Sequence, residues 1–75
     1  MNRPMEECQN QILKLMGIDP IYVQLAQVVL AEAQGTCWER TRISVWWLVS
    51  AGLSGAQAIR ATNHAQWILQ QEGMW

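Results

Sequence analysis

Apolar positions recur at helical spacing in four stretches of this chain, and a glycine closes each of the first three. Ile12, Leu13, Leu15 and Met16 build an apolar side that stops at Gly17, with Pro4 placed where a first helical turn tolerates a missing N–H. Ile18 suits the hydrophobic position that follows a glycine stop. Asp19-Pro20 then reads as the N-cap and first helical residue of a run reaching Gln34 and closed by Gly35. Thr36-Cys37-Trp38-Glu39 has the form of a capping box, in which the threonine hydroxyl and the glutamate each take up one orphan N–H. Gly52-Leu53 repeats the glycine-plus-apolar stop, and Ser54-Gly55-Ala56-Gln57 offers a second box. Period-2 alternation does not extend past Arg42-Ile43-Ser44-Val45, so no strand is expected. The pattern predicts an all-α fold, a compact bundle of four short helices at 4–16, 20–34, 37–51 and 55–72, in a single domain over 1–75.

The fourth helix carries a conflict. Ile59 and Ile68 are nine positions apart, or ~180° around a helix axis, and cannot face one core together. A break at Asn63, with Asn63-His64-Ala65-Gln66 acting as a further N-cap, would give 55–62 and 64–72 and so a fifth helix.

The second helix is apolar nearly all round, with only Gln24, Gln27 and Gln34 as a polar stripe, and such a helix belongs in the middle of a bundle. It is too short to span a bilayer, which takes about 20 apolar residues, and no membrane partner is expected. The third helix packs Val45-Trp46-Trp47-Leu48-Val49 into one unbroken run covering every direction around its axis. Trp46 and Trp47 are ~100° apart, so when one points inward the other points sideways or out. Both can wedge between helices of one molecule, or one can anchor an interface, where tryptophan is enriched among residues that dominate binding. Trp38, Trp67 and the last residue, Trp75, add to this count, and the last reads equally as frayed or packed.

Composition sharpens the picture. The 75 residues are 51% apolar and 15% charged, with five tryptophans and no phenylalanine. That excludes disorder and leaves room for one small domain, which buries only ~60% of the surface its unfolded chain exposes and is marginal alone. Cys8 and Cys37 are read as reduced and half-buried in a cytoplasmic protein, since no signal-peptide pattern precedes them. Nine glutamines and few charges fill the remaining surface, a depletion typical of interface cores and also of simple compositional bias. Arg3 and Lys14 against Glu6, Glu7, Asp19 and Glu32 give residues 1–36 a charge of −2, while Arg40, Arg42 and Arg60 against Glu39 and Glu72 give 37–75 a charge of +1. Any basic patch therefore lies in the second half.

Catalytic chemistry finds little footing. His64 has no carboxylate beside it in sequence and reads as a surface or cap-region residue, while Glu6-Glu7 reads as charge at a helix N-terminus rather than a carboxylate pair. One histidine and two distant cysteines have no metal-ligand spacing, so neither a metal nor another cofactor is expected, and the chain is expected not to be an enzyme. The third helix, the turn Ser50-Ala51-Gly52-Leu53-Ser54 and the helix beyond it resemble a helix-turn-helix, with Ser54, Gln57 and Arg60 toward DNA. Ala58, Ala61 and Ala65 read equally well as a stripe for close helix packing. The favoured expectation is a small interaction protein, like the compact regulators of phages and plasmids, that binds and modulates a larger host protein. It would act through a surface including Trp46, Trp47, Trp38 and Trp67, and it would form a homodimer. A helix-turn-helix DNA-binding regulator is the alternative.

Overall fold

Helix starts follow from the caps. The computed structural model describes residues 4–75, without the side chains of residues 4–6, 9 and 10. Four helices follow one another, α1 (Pro4–Leu15), α2 (Pro20–Glu32), α3 (Cys37–Ser50) and α4 (Gly55–Gln71), with no strand among the described residues. The chain is thus the small all-α bundle its periodicity predicts. Asp19 accepts from the Ile21 N–H at 3.0 Å, with Pro20 at the first helical position of α2. At α3 the Thr36 hydroxyl accepts from the Glu39 N–H at 3.1 Å, and the Glu39 carboxylate accepts from the Thr36 N–H at 3.2 Å. Ser54 and Gln57 make the same reciprocal pair at the start of α4, both bonds at 3.2 Å. The charge role expected of Glu6 lies outside the described side chains.

α1 and α3 stop on glycine. Gly17 (φ +79) and Gly52 (φ +115) let the next N–H turn back, from Ile18 to the Leu13 carbonyl at 2.8 Å and from Leu53 to the Leu48 carbonyl at 3.1 Å. Ile18 and Leu53 are both buried beneath their turns. α2 ends differently, two residues short of Gln34. Ala33 is already extended, and Arg40 of α3 donates from Nε, at 3.0 Å, and from Nη2 to the Leu30 carbonyl. A cation thus meets the negative end of the helix. Gly35 serves the next helix instead, because a Cβ there would lie 3.2 Å from the Glu39 carboxyl that closes the capping box.

The core forms where α2 meets α4 and α3, while α1 touches α2 and α4 lightly. Ala58, Ala61 and Ala65 form one stripe on α4 and, with Ala26 of α2, are fully buried, which lets these helices approach closely. Leu30, Leu48, Ile68 and Leu69 fill the space around them. α2 is not wrapped on all sides, since Ile21 and Val28 remain exposed. The radius of gyration, 11.6 Å, is close to the ~11 Å expected of a compact chain of this length.

One open alternative is decided and two expectations need correction. α4 runs unbroken through Asn63, and the conflict between Ile59 and Ile68 is resolved by leaving Ile59 on the surface while Ile68 is buried. Four small helices cannot enclose every isoleucine, and the alanine stripe decides which side of α4 faces inward. His64, expected at the surface, is buried with its ring stacked on Trp67 at 6.1 Å between centroids. Cys8 and Cys37, expected half-buried, are exposed free thiols. Among the described residues no helix is long and apolar enough to cross a membrane.

Candidate functional site

α3 has its polarity reversed. Toward the bundle it presents Ser44, Leu48 and the half-buried Arg40, Thr41 and Val45, and of these only Leu48 and Val45 are apolar. Ser44 and Thr62 are fully buried, their hydroxyls 3.0 Å apart, and Thr41 accepts from the Gln66 side-chain amide while donating to the Cys37 carbonyl at 2.8 Å. These two contacts pair α3 and α4 antiparallel along a polar seam.

Toward solvent the same helix is apolar. Of its nine exposed positions only Glu39, Arg42 and Ser50 are polar. Trp38 is 68% exposed, Trp46 63% and Trp47 49%, and Ile43 and Val49 are exposed beside them. A fully buried tryptophan hides up to about 250 Å², so the three indoles leave on the order of 400 Å² of largely apolar surface open to water. The positions span more than half the circumference of the helix, so neither Trp46 nor Trp47 points into the bundle. They meet edge to face instead, with centroids 5.6 Å apart.

Two shallow clefts are cut into this face. One, of about 300 Å³, lies among Trp38, Glu39, Arg42, Ile43 and Trp46. The other, of about 470 Å³, is lined by Trp38, Arg42, Val45, Trp46, Val49 and Ile59 of α4, with Thr41 at its edge. Arg42 stands between them with its guanidinium 5.6 Å from the centre of the Trp38 ring. Sequence reasoning named Trp38, Trp46 and Trp47, which lie on this face, and missed Ile43, Val49 and Ile59. The unresolved angular conflict of Ile59 was the signal that could have found it.

The other named residues lie elsewhere. Trp67 packs against the core and lines a separate cleft of about 390 Å³ with Ile12, Leu13, Met16, Arg60, Asn63 and His64. Ser54 and Gln57 use their side chains on each other's backbone N–H groups, and Arg60 lines the α1–α4 cleft. Trp75 packs against the core under the Arg40 guanidinium, 4.1 Å from its ring centre. No group of three His, Cys, Asp or Glu among the described residues is placed to hold a metal ion.

No protein-family model, curated protein or solved structure matches this chain.

Proposed function

We propose that the chain is a small, non-enzymatic interaction protein that binds a larger protein through the solvent face of α3 and so regulates or inhibits it, in the manner of compact phage and plasmid regulators. One observation carries the reading: α3 turns a polar seam inward and three tryptophans outward. That arrangement forgoes core burial of its largest apolar side chains and makes sense when another surface covers them. An exposed apolar patch of several hundred Å² with aromatic anchors and few charges is the usual mark of a protein-binding site. Trp46 stands between the two clefts and is the expected anchor, with Trp38 beside it, while Arg42 and Glu39 belong to the polar rim. A cytoplasmic location goes with this reading, because two exposed free thiols suit a reducing compartment.

Photo-crosslinking from position 43 in the native host, followed by reconstitution with the captured protein, tests it. The expected outcome is one protein partner whose affinity falls at least about 30-fold with Trp46→Ala, the loss of a hot-spot side chain, and changes little with salt. The DNA-binding alternative draws support only from the exposed Arg60 on a helix that follows a tight turn. It requires steeply salt-dependent DNA binding abolished by Arg60→Ala, and that result would overturn the protein-target reading.

A further inference from the structure

We infer that the same α3 face pairs with a second copy of this chain, helix against helix and antiparallel, with the twofold axis crossing the solvent side of α3 between Arg42 and Trp46, at the level of residue 44. The inference rests on the reading of α3 as the interaction surface and names a partner for it. Area is the first argument. Adding Ile43, Val49, Ile59 and the polar rim to the three indoles brings the face toward about 800 Å², the contribution each molecule makes to a standard stable interface. Residue order is the second. A twofold interface must be self-complementary, so a contact from one residue to another is repeated in reverse. Around residue 44 the facing positions have numbers that add to about 88. Arg42 then meets the second copy's Trp46, and Glu39 meets its Val49, each contact occurring twice. Arg42 is suited to this place, because its guanidinium has no carboxylate partner among the described residues and already lies over an indole.

A parallel pairing does worse. It would set Arg42 beside Arg42 and Glu39 beside Glu39 and align the two helix dipoles, whereas the antiparallel one opposes the dipoles and separates like charges. The face carries one charge of each sign, Glu39 and Arg42, and a neutral surface can meet itself without net repulsion. It follows that a larger target reaches the α3 face only by displacing the second copy.

Sedimentation equilibrium of the full chain, with circular dichroism of each variant, tests the pairing. Self-association is expected at micromolar concentration, weakened at least about 30-fold by Arg42→Glu or by Trp46→Lys alone. Mixing those two variants in equal amounts is expected to restore a heterodimer. The introduced carboxylate at 42 then faces the introduced amine at 46, and the remaining Arg42 faces the remaining Trp46. Where Trp46→Lys does not fold, Ile43→Glu beside the axis gives the same dissociation. A wild-type monomer across a hundredfold dilution, a dimer that survives Trp46→Lys, or single variants that dissociate and do not recombine would each overturn the pairing. A chain that stays monomeric yet loses its target with Trp46→Ala overturns the pairing alone. A dimer confirmed by recombination, with cross-links from α3 reaching only other copies of this chain, overturns the larger-target reading alone.

Discussion

Removing the hydroxyl pair between α3 and α4 tests the account of what holds α3 to the bundle. Ser44 and Thr62 are both fully buried, and their hydroxyls lie 3.0 Å apart, a normal O–H···O length. Ser44→Ala deletes one partner and leaves the Thr62 hydroxyl in a dry site, which costs about 1–3 kcal/mol. Thr62→Val keeps the shape, leaves Ser44 without that partner and should cost a similar amount. The double variant removes both polar groups together, so its cost should fall short of the summed singles by about 1 kcal/mol, the net worth of the bond. Total stability for 75 residues is on the order of 4–11 kcal/mol, so every member of the cycle stays measurable. Urea unfolding followed by far-UV circular dichroism at one fixed protein concentration reads the cycle, and the fixed concentration keeps any self-association common to all four proteins. Strict additivity, or a Ser44→Ala change within about 0.3 kcal/mol of wild type, would show that the seam does not hold α3 in place.

Further outcomes follow from single contacts. Thr36→Ala removes the N-cap acceptor of α3 and should lower stability by about 1 kcal/mol in the same assay. Leu48→Ala empties the only fully buried apolar position of α3 and should cost about 2–5 kcal/mol, enough to unfold a marginal chain at 37 °C. Arg40→Lys keeps the charge but loses the forked contact with the Leu30 carbonyl and the guanidinium contact with the Trp75 ring. A loss of about 1 kcal/mol is expected, and thermal denaturation measures it. Trp46→Ala should change stability by less than about 1 kcal/mol when measured at concentrations below self-association, because its side chain is mostly in water already.

Helix boundaries were legible in the sequence because caps are local chemistry. Thr36 with Glu39, Ser54 with Gln57, and Asp19 before Pro20 each satisfy neighbouring backbone groups, and the structure has all three. The end of α2 was not legible. It depends on Arg40, ten residues beyond the carbonyl it satisfies, and only the tertiary fold brings them together. Asn63 left an alternative open for a related reason. An asparagine with glutamine three residues on looks like a start signal, but between Ala61 and Ala65 the stripe facing the core is continuous and keeps the helix running. His64 was read by residue type, yet its position beside that stripe buries it. The two cysteines were read inward by type and face outward by position. Trp46 and Trp47 left a choice between core and surface that α3 resolves through Ser44 and Leu48, the two fully buried residues, which lie ~40° apart and fix its inner side.

The division of labour on α3 has a mechanical consequence. A helix usually earns its place in a bundle through an apolar stripe, and its function, when it has one, is carried by polar residues on the other side. Here the inward side is secured by Leu48 and Val45, two hydroxyl contacts, a capping box and the Arg40 clamp on α2, none of which involves a tryptophan of the outer face. Trp38 and Trp46 are therefore held on α3 without being needed to hold it, so affinity can change at either with little change in folding. The same separation makes surface and seam experimentally independent. Substitutions at Ser44 and Thr62 should move the unfolding midpoint and leave the solvent face of α3 chemically intact, whereas substitutions at Trp38 and Trp46 should move association and leave the midpoint near its wild-type value under monomeric conditions. Crossed effects would mean that the indoles stabilise the helix they decorate, and the case for α3 as an interaction surface would lose the inversion on which it stands.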